Sequence, residues 1–235
     1  MLQLLFLLGI TWILLWFFND KQWWVLGFKP TPVLVKYGLW GFIIAAFFSL
    51  STYLLKMYFT GEVYGMASNL KSGPILLGFW QEIRSVLTEE LIFRGALFYL
   101  VYKKWGSKPA IIISSVAFAA IHLLTVSAWN NPIQISMLLA FTFLMGLVLA
   151  FAFIQSGSIL IPFAIHFGWN CIQNFAFGEN GNNLRLFELK NIPSEVTISY
   201  AAFFTMLLLP KIGAILGNYL LLKRYPKVSL EKSLK

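Results

Sequence analysis

The sequence predicts an all-α fold, a polytopic bundle of transmembrane helices, on two observations. Of its 235 residues 59% are hydrophobic and only 11% charged, and the mean hydropathy is +0.75, well beyond the composition of a soluble domain. The apolar residues also arrive in long runs. A bilayer core about 30 Å thick needs roughly 20 apolar residues per helix, and scanning at that length gives seven spans: Leu2–Phe18, Val33–Tyr58, Ile75–Tyr102, Pro109–Val126, Ile133–Ile154, Ser158–Phe177 and Val196–Leu222.

The first run lacks the basic leader and small-residue cleavage site of a secretory signal, so it is expected to persist as a span. Between it and the second lies NDKQWWVLGFKPTP, in which Trp23, Trp24 and Phe28 stand among lysines and precede Pro30 and Pro32. That composition predicts an amphipathic segment in the membrane interface. Thr60 to Pro74, TGEVYGMASNLKSGP, is too polar and glycine-rich to span. With no repeat, low-complexity tract or linker, residues 1–235 read as a single integral-membrane domain whose chemistry-bearing core runs from about 75 to 177.

A net charge of +9 would point to nucleic acid in a soluble protein. Here the cations sit in loops and at the C-terminus beside apolar runs, which fits the lipid bilayer and its anionic head groups and argues against a nucleic-acid partner. With the N-terminus outside, Lys21, Lys29, Lys103, Lys104, Lys108, Lys223, Arg224, Lys227, Lys232 and Lys235 fall on the cytoplasmic side, against Lys56, Lys71, Arg185 and Lys190 opposite. The excess of positive charge favours a cytoplasmic C-terminus. Cys171 is the sole cysteine and lies in an apolar run, so it forms no disulfide framework and reads as a small core residue.

Against this background the stretch SVLTEELIFRGALFYLVY, Ser85 to Tyr102, is anomalous. A charge at the middle of a lipid-facing helix costs about 2.5 to 3.5 kcal/mol, so Glu89, Glu90 and Arg94 are expected to face protein or trapped water. Glu90 and Arg94 have the spacing and order of an ion pair along one helix face. Glu89 is rotated by about 100° from Glu90, so one carboxylate is expected to pair structurally and the other to be available for chemistry. Both histidines of the chain also lie in spans. FAAIH sets Phe118 and His122 four apart on one face and HFGWN does the same for His166 and Asn170, with Ser115, Gln173 and Asn174 extending those faces. Measured from the cytoplasmic span ends, Glu89, His122 and Asn170 are about 12 or 13 residues deep, roughly 18 to 20 Å at 1.5 Å per residue. One constellation would require such agreement.

EELIFR, FAAIH and HFGWN, in that order and each on a membrane helix, resemble the EExxxR, FxxxH and HxxxN motifs of the CAAX-processing and bacteriocin-processing (ABI, or CPBP-type) intramembrane endopeptidases. WWVLGF resembles an interfacial segment of many prokaryotic members, which implies a prokaryotic cell membrane. The resemblance covers about residues 22 to 177. It implies hydrolysis of a peptide bond in a membrane-associated peptide or protein substrate. Glu89 is then similar to a general base acting on water with His122, His166 and Asn170 stabilise the oxyanion, and Glu90 and Arg94 are the structural pair. The residue types suit those roles, because a carboxylate withdrawn from water is a stronger base and fixed donors in a low dielectric stabilise developing charge.

The same four residues, Glu89, His122, His166 and Asn170, could instead hold a divalent metal such as zinc. HExxH is absent, and Asn is a poor zinc ligand and a natural oxyanion donor, so the reading favours catalysis without a cofactor. An aspartyl mechanism needs two aspartates and the chain has only Asp20. QSGSI, Gln155 to Ile159, has no GxSG match, and Cys171 points about 100° away from the Asn170 face. Two other classes stay open: a proton-coupled transporter, which would also bury Glu and His, and a non-catalytic scaffold or bacteriocin-immunity protein. Oligomeric state and the prenylation of the substrate are not legible.

The charge bias predicts an external N-terminus and a cytoplasmic C-terminus. Reporter fusions at the two ends should report opposite sides, and fusions on the same side would refute the span count.

Overall fold

The computed structural model of the chain describes residues 9–11, 13, 16–17, 26–68, 70–124, 131–178, 185–191, 193 and 196–226. Its elements are α1 (Pro32–Thr60), β1 (Val63–Met66), α2 (Ser72–Arg94), α3 (Ala96–Trp105), α4 (Ser107–Leu123), α5 (Pro132–Ser156), α6 (Leu160–Asn170) continued by a π-helical stretch (Cys171–Ala176), β2 (Phe187–Asn191) and α7 (Tyr200–Lys223). The protein is therefore an all-α membrane bundle. α1, α5 and α7 are long and apolar enough to cross a bilayer, and α4 is a shorter apolar helix. Most of the expected span Leu2–Phe18, the interfacial Trp23 and Trp24 and the end of the fourth span at Val126 lie outside the described residues.

The long helices begin where local chemistry stops the chain from continuing as a loop. At α1, Thr31 Oγ1 accepts from Leu34 N at 3.2 Å and Pro32 opens the first turn. α5 repeats the device, with Asn131 Oδ1 accepting from Gln134 N at 3.1 Å ahead of Pro132. In both, a side-chain oxygen satisfies an orphan amide and proline takes a position needing no donor. α5 closes at Gly157, whose left-handed backbone (φ 64) a residue with a Cβ would strain to adopt.

The described chain divides into two compact units. One comprises Met1–Leu39, Leu87–Ala164 and Tyr219–Lys235 and the other Trp40–Val86 and Ile165–Asn218. In the first, Leu26, Leu91, Ala96, Phe98, Tyr99, Ala110, Ala150, Phe153 and Ile159 form a buried apolar cluster. Leu26 is only 1% exposed. Its carbonyl accepts from Ile159 N at 2.9 Å, and the Ser158 hydroxyl donates to Gly27 O at 2.5 Å. The described end of the segment expected to lie in the interface is thus docked in the core. α4 and α5 meet through small residues, since a Cβ on Gly146 would lie 3.0 Å from Ser115 Cα.

In the second unit Gly213 and Gly217 of α7 form a GxxxG face against α1, where added Cβ atoms would fall 2.1 Å from the Phe48 ring and 2.8 Å from Ile44. Gly168 of α6 is equally confined, 2.5 Å from Phe42 O. Lipid tails are as apolar as side chains, so close backbone approach rather than hydrophobicity holds such helices together. Ser49 Oγ then donates to Trp169 O at 2.9 Å, and Tyr53 stacks on Phe177 with ring centroids 3.7 Å apart.

Three departures from the sequence expectation stand out. The expected span Ile75–Tyr102 is two helices, because the chain turns at Gly95 (φ −84, ψ −143). A Cβ at that position would sit 2.0 Å from Leu91 O, so only glycine fits. The expected span Ser158–Phe177 widens after Asn170 into the π stretch, with Phe177 N donating to Ile172 O at 3.0 Å. Finally, two segments lying between the expected spans pair as antiparallel strands, with Tyr64 opposite Leu189 and Met66 opposite Phe187. The hydropathy window carries no information on such pairing, which depends on residues far apart in sequence.

The Gly95 turn predicts that Gly95→Ala, by forcing backbone apart, costs about 3 kcal/mol. Detergent-purified protein should show a lower melting midpoint and reduced monodisperse yield; an unchanged midpoint would remove the steric assignment.

Candidate active site

The first-motif residues Glu89, Glu90 and Arg94 lie at the C-terminal end of α2, immediately before the Gly95 turn. Glu90 and Arg94 are wholly buried, with Arg94 Nε 3.4 Å from Glu90 Oε2. Glu89 is half-buried one residue away and also acts electrostatically on Arg94, more weakly than Glu90 does. Because α2 ends at Arg94, the depth of Glu89 cannot be counted along one continuous helix from Tyr102, and the 1.5 Å ruler used on the sequence does not apply there.

The second motif lies on α4. His122 is half-buried and its Nδ1 is 2.7 Å from the carbonyl oxygen of Phe118, one turn back. A carbonyl only accepts, so in the neutral imidazole Nδ1 carries the hydrogen and the lone pair is on Nε2. Phe118 is buried beside it, its ring 4.5 Å from the imidazole and 4.5 Å from the Arg94 guanidinium carbon. Phe93 packs edge-on against Phe118 at 5.3 Å and 89°, and Ser114 Oγ donates to Phe93 O at 2.8 Å. That last bond satisfies a carbonyl in the final turn of α2, where no intrahelical donor follows.

The third motif belongs to the other unit. His166 is 4% exposed and its Nε2 lies 3.3 Å from Asn170 Nδ2, as their spacing on α6 allows. The amide nitrogen carries two hydrogens, so this contact uses one and leaves one N–H to donate. The π stretch that follows presents Asn174 to the buried carboxylate of Glu82, Nδ2 to Oε1 at 3.0 Å, and Gln173 to the Tyr53 hydroxyl at 3.0 Å. Cys171, at the start of that stretch, is partly buried. Glu82 escaped the sequence reading although it stands seven residues before Glu89, close to one helix face; its signal was there, and the loudness of the EExxxR run obscured it.

The class of protein is thus an integral membrane protein built of helices, with paired carboxylates, an arginine and two histidines on its helices. Residues 71–172 match the family model described as type II CAAX prenyl endopeptidase Rce1-like. All of Glu89, Glu90, Arg94, Phe118, His122, His166 and Asn170 fall inside the match, which bears out the resemblance read from the three motifs. No curated protein and no solved structure matches the chain.

The buried pair predicts an asymmetry between single and double replacement. Arg94→Ala leaves Glu90 buried without its counter-charge, at a cost of roughly 3 to 5 kcal/mol, whereas Glu90→Gln with Arg94→Met removes both charges and costs less. Thermal melts of the three proteins should rank wild type, double variant, single variant; a fully stable Arg94→Ala would refute the pairing.

Proposed function

We propose that the chain is an intramembrane endopeptidase of the CAAX-processing type, hydrolysing a peptide bond in a membrane-associated peptide or protein. The observation that carries the reading is the match of residues 71–172 to an endopeptidase family over a segment holding every motif residue. In this reading Glu89 and His122 activate water: the carboxylate takes the proton while imidazole Nε2, holding the lone pair, accepts a hydrogen bond from the same water. The hydroxide adds to the scissile carbonyl carbon. His166 and Asn170 then stabilise the oxyanion, with the second amide N–H of Asn170 as donor, and the proton held by the carboxylate passes to the leaving amine. Glu90 and Arg94 hold the end of α2 and take no proton.

A divalent metal at Glu89, His122, His166 and Asn170 would be a Lewis acid for the same step. The donor set fits it poorly, because His166 Nε2 is directed onto the Asn170 amide at 3.3 Å and a lone pair engaged there is not offered to an ion. Within each unit, among the described residues, no three His, Cys, Asp or Glu side chains gather as an ion-holding group. A prenylated substrate requires a host with prenylation, whereas a signal-peptide remnant, a pheromone or a bacteriocin precursor does not. We place the protein in a prokaryotic cell membrane with a cytoplasmic C-terminus.

Purified protein in detergent, offered a library of membrane-associated peptides, should cleave, and a chelator series should leave the rate unchanged. Glu89→Gln and His122→Ala should each abolish turnover in folded protein. Asn170→Ala should lower kcat by about 10² to 10³ with little change in KM. Cys171→Ala should keep full activity. Loss of activity in chelator with recovery in added zinc would replace the oxyanion reading by a metal site. Absence of cleavage together with proton movement across vesicles would favour the transporter, and absence of both the scaffold.

A further inference from the structure

Phe118 lies where the first two motifs meet, and its surroundings are not those of a packing residue alone. Its ring is 2% exposed and its contacts include the Arg94 guanidinium carbon 4.5 Å from the centroid, the edge of Phe93 at 5.3 Å and the His122 imidazole at 4.5 Å. A Cβ added at Gly146 of α5 would approach the ring to 3.4 Å, so the ring has little room to move on that side. Arg94 needs the contact. It is wholly buried, its three side-chain nitrogens make no hydrogen bond among the described residues, and its charge is met by Glu90 at 3.4 Å. A cation so withdrawn from water is attracted to the negative face of an aromatic ring, and desolvation strengthens that attraction.

We infer that Phe118 is a positioning residue: its aromatic face carries the Arg94 cation, and the ring so anchored holds the His122 imidazole in the orientation in which Nδ1 donates to the Phe118 carbonyl. The buried Glu90–Arg94 pair thereby acts on His122 through an aromatic ring, in addition to securing the end of α2. A leucine would fill similar volume but offer no negative face. Arg94 would then withdraw toward Glu90, and the imidazole would lose one wall. The consequence for rate rests on the endopeptidase reading above; the consequences for stability and for the histidine do not.

The test replaces Phe118 by phenylalanines bearing one, two and three ring fluorines, which drain the face of the ring with little change of shape, alongside Phe118→Leu and Phe118→Tyr. Full-length protein in detergent is followed by thermal melting, by ¹⁵N spectroscopy of its two histidines, with His166→Gln used only to assign the His122 signals, and by peptide cleavage. The melting midpoint should fall with each fluorine, and the Nδ1–H signature of His122 should weaken in step. The trifluorinated protein should lose about tenfold in kcat at unchanged KM. Phe118→Tyr keeps the aromatic face, so the Nδ1–H signature of His122 should be retained even where the buried hydroxyl lowers the midpoint. A midpoint and a histidine signal that ignore the fluorine count would overturn the inference. So would a falling midpoint with an unmoved histidine signal, which would make the ring structural only. If Phe118→Leu does not fold, the fluorine series still decides. If the wild type cleaves no peptide, the endopeptidase reading fails, while the melting and ¹⁵N series still judge Phe118.

Discussion

A full positive charge buried at the end of a membrane helix is the constraint on which much of the first unit depends. No side chain among the described residues hydrogen-bonds to Arg94, and its charge is met by Glu90 and by the faces of Phe118 and Phe93. Each of those partners must be held in place. Gly95 ends α2 one residue later, Ser114 ties the Phe93 carbonyl to α4, and Gly146 lets α5 close on Phe118. The neighbouring helices are thus arranged around a charge that would otherwise be prohibitively expensive.

The second unit solves a different problem with similar means. Helices α1 and α7 gain little by burying apolar surface that lipid would cover equally well, so they approach through Gly213 and Gly217 until side chains of one touch the backbone of the other. Polar groups are then matched internally: Ser49 to Trp169 O, Tyr53 to Gln173, Asn174 to Glu82. The π stretch after Asn170 changes the angular spacing of side chains just beyond the HxxxN pair, re-aiming Gln173 and Asn174 relative to a regular helix. Wheel positions read from the sequence with 3.6 residues per turn are therefore sound for His166 and Asn170 and inexact for the residues that follow.

Among the candidate residues, the contacts legible in advance are those made within one helix. The Glu90–Arg94 approach and the His166–Asn170 contact follow from a four-residue spacing, and both occur. What joins EExxxR to FxxxH was not legible, because it runs between helices. The sequence placed Phe118 on the face of His122, but its ring under Arg94 of the preceding motif could not be read from spacing.

By itself the sequence determined the class of fold, the placement of the long apolar helices and the identity of the motif residues. Hydropathy, helix caps and four-residue spacing are local properties, and a bilayer forces the backbone to satisfy itself locally. Helix starts at Pro32 and Pro132 accordingly fall within a residue of the expected ones. Only the tertiary structure decided that Ile75–Tyr102 is broken at Gly95, that Cys171–Ala176 widens into a π stretch, that Val63–Met66 pairs with Phe187–Asn191, and that Leu26 is docked in the core. Each of those depends on what stands opposite a residue in space. A glycine that cannot carry a Cβ, or an arginine that must find an aromatic face, is defined by neighbours far away along the chain.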